Sequence, residues 1–230
     1  MSALKHFPVA TVLEIFTDEI TSRSGAVIDA IQDGTRLFAR SVLPGVQEVR
    51  PSDKLQGGVA LRANESEVWL HPYVFRIVCS NGAIMAHAIQ TQHLTDLDLR
   101  DSWDVETVLR DAIQACCAEE AFATSVREFR SATEVQADLA LNLLSALSRL
   151  SLPNTSGLLR QIMDQFFREP DRTRFGLTNA VTAVARDTRD PETRWRLEEL
   201  GGAITAGIVP APPSLITGVK KLRRRSVAVV

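Results

Sequence analysis

The spacing of apolar residues changes near residue 100 of this 230-residue chain, and no other feature restricts the fold as much. Ahead of that point the alternations through Val59, Leu61 and Ala63, and through Val74, Arg76 and Val78, have the period of two that a half-buried strand requires. Beyond it, Val105, Val108, Leu109, Ala112, Ile113 and Cys116 fall at i, i+3, i+4, i+7, i+8 and i+11, one apolar face of a helix. The fold class expected is α+β, an N-terminal antiparallel sheet built from β-hairpins followed by a helical C-terminal half of about five helices.

Local signals fill in this outline. The runs 26–32 and 35–43 flank Asp33-Gly34, a strong hairpin signal. Residues 44–58 read as a polar, turn-rich stretch, with Gly57-Gly58 as a bulge or tight turn. Pro72 has no N–H to give a ladder, so the run 68–79 is expected to split in two or to form a bulged edge. Ser80-Asn81-Gly82 reads as the turn that ends it. Among the helices, one is expected to open at the capping box Thr133-Glu134-Val135-Gln136 and stop at Pro153, and another to carry Leu158 to Phe167 and end before Pro170. A further helix spans about Thr173 to Asp187. The last starts at Asp190-Pro191 and is closed by Gly201-Gly202. The chain thus divides into a strand-rich region (1–95), a helical region packed on it (96–209) and a basic tail (210–230).

A formal charge of −2 gives the whole molecule no attraction for nucleic acid or for an anionic membrane, so such binding needs a local patch. The N-terminus lacks a basic segment followed by an apolar one, and no apolar run reaches the length of a membrane span. Three cysteines, an odd count with Cys116 and Cys117 adjacent, give no disulfide framework. A bacterial cytoplasmic protein is expected, since a reducing compartment suits free thiols and arginine greatly outnumbers lysine.

His71, Cys79, His87 and His93 raise a metal site or a Cys–His nucleophile, but their spacing fits no standard zinc pattern. The bland reading of Cys79 is a buried strand residue. Asp96, Asp98, Asp101 and Asp104 lack the glycine and terminal glutamate of a calcium loop and read as a solvated, helix-capping group. No metal, cofactor or catalytic residue is assigned. Lys220, Lys221, Arg223, Arg224 and Arg225 form the concentrated basic run and are the candidate nucleic-acid contacts.

Two stretches, 57–84 with its Arg-Ile-Val-Cys-Ser-Asn-Gly core at 76–82, and 174–202 with Asn179-Ala180-Val181-Thr182, resemble the phage- and plasmid-associated proteins grouped as domain of unknown function 932. The resemblance runs from about residue 25 to 205. It implies a mobile-element setting without an enzymatic mechanism, and it points to Arg76, Cys79, Asn81, Gly82, Asn179 and Thr182. The preferred functional expectation is a non-enzymatic protein that binds single-stranded DNA in replication or recombination, as a homo-oligomer and without a membrane. An aromatic content of 6% counts against base stacking. The alternative is an enzyme or small-ligand-binding protein with a pocket where the 76–82 and 174–182 motifs meet.

Overall fold

A computed structural model of the chain describes residues 8–95 and 105–208. Seven antiparallel strands form one sheet: β1 (Ala26–Asp33), β2 (Arg36–Val42), β3 (Val46–Arg50), β4 (Asp53–Ala63), β5 (Glu67–Arg76), β6 (Asn81–Ile84) and β7 (Gln92–Thr95). The main order is β1-β2-β4-β5-β6, with β3 also on β4 and β7 also on β5. The expected hairpin is present. Asp33 lies opposite Arg36, and Gly34 takes a φ of +60° so that two loop residues suffice to reverse the chain.

Three expectations for the strand region are corrected. First, residues 44–58 are not a turn-rich connection but β3, a tight reversal, and the first half of β4. Gly57 and Gly58 stand mid-strand opposite Val74 and Tyr73. Their missing Cβ atoms answer close neighbours: one on Gly58 would lie 1.8 Å from the Ser41 carbonyl oxygen, and one on Gly57 would lie 2.7 Å from the Phe122 ring. Second, Pro72 does not divide β5, which pairs with β4 without a break from Val68 to Arg76. The N and O of one strand residue face the same edge, and the Pro72 carbonyl accepts from Met85 N on the edge away from β4. The missing N–H therefore costs β4 nothing, and the division falls on the other side, between β7 on residues 67–70 and β6 on residues 73–76. Third, the turn after β5 is Ile77–Ser80, with Ser80 at a φ of +53°, and Asn81-Gly82 opens β6.

Alternation along β4 and β5 sends side chains to two faces. Val59, Leu61 and Leu70 pack under α1 (Val9–Ser22) and α2 (Val105–Cys116), against Val12, Phe16, Leu109 and Ile113. α1 was not expected, although Val12, Ile15, Phe16 and Ile20 carry its apolar stripe. Leu55 and Val74 meet Phe129 of α3 (Glu119–Ala132), also unexpected. The other face, with Phe38, Ala60 and Tyr73, is covered by Trp195, from the helix that starts at Pro191.

The capping box at Thr133 does not start a helix. Thr133 instead closes α3, its N–H bonding the Arg130 carbonyl, while Val135 O accepts from Arg174 N and Ala137 N donates to Arg172 O. That backbone pairing removes 135–137 from any helix. Asp138 then caps a π-helical turn, Leu139–Leu144, which runs into α4 (Ser145–Arg149). α5 (Thr155–Arg168) ends at an extended Glu169 before Pro170, and α6 (Arg174–Asp187) is capped by Thr173, both as expected. α7 (Pro191–Ala206) starts as expected, with Asp190 accepting from Thr193 N. It does not close at Gly201-Gly202 but runs on to Gly207, at a φ of +73°. Gly202 is there for proximity, because a Cβ would lie 2.1 Å from the Ile84 carbonyl oxygen of β6. No helix among the described residues is long and apolar enough to cross a membrane.

Candidate functional site

The two motifs singled out in the sequence meet in space. Asn81, at the start of β6, donates from Nδ2 to Thr182 Oγ1 on α6 at 2.9 Å, with the Asn179 carbonyl oxygen at 3.4 Å. Thr182 in turn donates to Thr178 O one turn back. Gly82 has no side chain because a Cβ would lie 2.1 Å from the Tyr73 hydroxyl. Arg76 does not reach Asn179 with a hydrogen bond. Its guanidinium grips Asp53 through Nε at 2.7 Å and Nη2 at 2.6 Å, contacts Cys79 Sγ through Nη1, and lies 5.3 Å from the centre of the Phe175 ring. Arg50 lies over the same ring at 4.8 Å and pairs with Asp171 at 2.5 Å.

This junction is a structural fastening. Arg76, Asn81, Gly82, Asn179 and Thr182 surround a cavity of only about 10 Å³, the room of a single water molecule. Asn81 Oδ1 is buried there without a protein donor. Burial opposes the Arg76 charge, but the Asp53 carboxylate outweighs it and raises the guanidinium pKa. Cys79 is half-buried in the turn and is not the buried strand residue expected. Burial pushes its thiol up despite the neighbouring Arg76, which keeps it protonated and a poor nucleophile.

The histidines do not gather around Cys79. His71 Nδ1 meets Thr91 Oγ1 at 3.2 Å, His87 Nε2 meets Glu128 at 3.0 Å, and His93 Nε2 meets Glu67 at 2.8 Å. Among the described residues no three His, Cys, Asp or Glu side chains are grouped to hold a metal ion. Asp96, Asp98 and Asp101, with Asp104, lie outside the described residues, as do Lys220, Lys221, Arg223, Arg224 and Arg225.

A different cluster forms on the sheet face beside the start of α7. The Trp69 indole of β5 stacks on the His93 imidazole of β7, with ring centres 3.5 Å apart and planes within 10°. Glu67 Oε2 holds both rings, accepting from Trp69 Nε1 at 3.1 Å. Both side chains are partly open to solvent. Arg62 stands directly opposite Trp69 on β4. With Arg36, it flanks the Phe38 ring at 6.0 and 5.9 Å, and both reach Glu192 of α7. Arg196 pairs with Glu192 and Glu199, and Trp195 Nε1 donates to Glu199. Beneath them His71 is fully buried, and burial together with Arg62, Arg196 and His93 pushes its pKa down to about 3. An overall aromatic percentage concealed this platform; the alternation Trp69-His71-Tyr73 along one face of β5 was the signal that would have shown it.

Behind the platform, Arg40 and Glu198 form a wholly buried ion pair at 2.6 Å between β2 and α7, joined by Asp29 and Arg194. Burial raises the Glu198 pKa while the two guanidiniums pull it back. Comparison with protein-family models, with curated proteins and with solved structures finds no match.

Proposed function

We propose that the chain is a non-enzymatic cytoplasmic protein that binds single-stranded nucleic acid, with the Trp69–His93 stack and its bordering arginines as part of the contact surface. The observation that carries this reading is the pair of rings stacked face to face, partly open on a sheet face and set beside Arg36, Arg62 and Arg196. Single-strand binders combine aromatic faces on which any base can stack with cations that follow the phosphates. Glu192 and Glu67 temper that charge, so the basic run from Lys220 to Arg225 is assigned most of the phosphate contacts. The resemblance to phage- and plasmid-associated proteins suggests replication or recombination as the setting. A homo-oligomer would repeat the platform along a strand.

The test is fluorescence anisotropy of the full chain with labelled single- and double-stranded oligonucleotides at about 50 mM and about 200 mM salt, over which several phosphate contacts change affinity by orders of magnitude. Preference for the single strand is expected, with roughly tenfold weaker binding for Trp69→Ala, as loss of one stacked base implies. Neutralising Lys220 to Arg225 is expected to flatten the salt dependence. Absence of binding to either oligonucleotide at the lower salt overturns the proposal.

A further inference from the structure

The pocket anticipated at the motif junction has no room for an organic molecule, but a larger cavity lies elsewhere. It has a volume of about 180 Å³ and sits between β4–β5 and the bend that joins α2 to α3. Leu43, Pro72, Cys116, Cys117 and Phe122 are among the residues of its wall. Two glycines shape it: Gly57 brings the strand close under the Phe122 ring, and Gly45 leaves an opening, since a Cβ built there has the Phe122 ring at 3.9 Å as its nearest neighbour. Gly45 is exposed, so the cavity opens to solvent on that side.

The lining decides the chemistry of an occupant. The Cys116 thiol already donates to Gln90 O at 3.1 Å, Ser125 Oγ to Ala121 O at 2.9 Å, and the Gly57 carbonyl accepts from Leu43 N at 2.7 Å. These polar groups are satisfied within the protein, and the charged residue of the lining, Glu119, is exposed to solvent. Burial pushes the Cys117 thiol up to about 11, so it is neutral and offers no charge to an ion. An apolar space of roughly 150 Å³ is large enough to take up a benzene-sized molecule.

We propose that this cavity is a binding site for a small, uncharged, apolar molecule of one aromatic ring or equivalent bulk, seated against Phe122 and entering past Gly45. The site is separate from the Trp69 platform, and its occupancy does not depend on nucleic-acid binding.

Benzene and indole are the probes. Methyl signals of Leu43 and Ala118 in the full chain are followed by ¹H–¹³C NMR as each probe is titrated, and the melting temperature is recorded in parallel. Saturable shifts at these methyls with a rise in melting temperature are expected. Gly45→Leu, which fills the opening, is expected to weaken binding by at least tenfold. Should that variant not fold, Ser125→Leu, which adds bulk to the wall from α3, provides the same comparison. Wild-type methyls that do not respond to either probe overturn the proposal, as do shifts that persist unchanged in a folded filled variant.

Discussion

Asn81 and Thr182, 101 residues apart in sequence, share a buried hydrogen bond that fastens the first residue of β6 to the middle of α6. Thr182→Val keeps the shape and leaves the Asn81 amide only the long contact to the Asn179 carbonyl at 3.4 Å, so a loss of about 1–3 kcal/mol is expected. Equilibrium urea unfolding checks this, the midpoint falling while the slope is unchanged. A wild-type midpoint would mean that a water already serves the amide.

His71 makes stability depend on pH. Its folded-state pKa is depressed to about 3 by burial first and then by the neighbouring Arg62 and Arg196 guanidiniums. The unfolded chain takes up this proton near pH 6.5, whereas the folded one does not, so the stabilisation is complete above pH 6.5 and is lost as pH falls toward 3. The expected slope from this group approaches about 1.4 kcal/mol per pH unit. Urea midpoints for wild type and His71→Phe between pH 7.5 and pH 4, about the range set by an ordinary histidine pKa and the carboxylate values, test it. Equal slopes in the two proteins assign the acid sensitivity to other groups.

Arg40 and Glu198 join β2 to α7 without exposure to water. Glu198→Ala leaves a buried guanidinium with only Asp29, at 3.1 Å, and is expected to cost about 3–5 kcal/mol. The double variant Arg40→Met with Glu198→Leu removes both charges and is expected to lose far less than the two single changes together. Thermal unfolding of wild type, Arg40→Met, Glu198→Leu and the double variant reads the coupling directly.

Gly202 is a case where helix propensity and packing disagree. Alanine is favoured over glycine in a helix interior by about 1 kcal/mol. A Cβ at 202, however, would stand 2.1 Å from a backbone oxygen of β6, which no side-chain rotation relieves. Gly202→Ala is therefore expected to destabilise by about 2 kcal/mol or more, as overpacking does. A stabilised variant in a thermal melt would show that α7 shifts away from β6 without cost.

The outcome at Thr133 shows why some helix boundaries were legible and others were not. The helices expected to start near Thr173 and Asp190 do so, because each of these side chains accepts an N–H three residues on, from Gly176 and Thr193. Thr133-Glu134-Val135-Gln136 also carries a helix-start signature, yet the Val135 carbonyl and the N–H of Ala137, the residue after this stretch, are taken by Arg174 and Arg172 from a segment about forty residues away. The reading of 44–58 failed for a related reason: β4 carries Gly57 and Gly58 because neighbouring chain approaches closely there, and glycine in a sequence suggests a turn. At the site, the residues 76–82 and 179–182 were named from the sequence, but their joint enclosure of a water-sized space was not legible.

Apolar period and turn chemistry by themselves determined the hairpin at Gly34, the stripe of α2, the end of α5 before Pro170 and the division into a sheet followed by helices, since each depends on residues within a few positions of one another. Tertiary structure decided that Pro72 lies within an unbroken strand, that Trp69 and His93 stack, that His71 is buried near Arg62 and Arg196, and that the open cavity forms beside Phe122. The physical reason is the same for all four. Each depends on which strand edge or sheet face a residue presents to chain distant in sequence, and only the folded packing sets that.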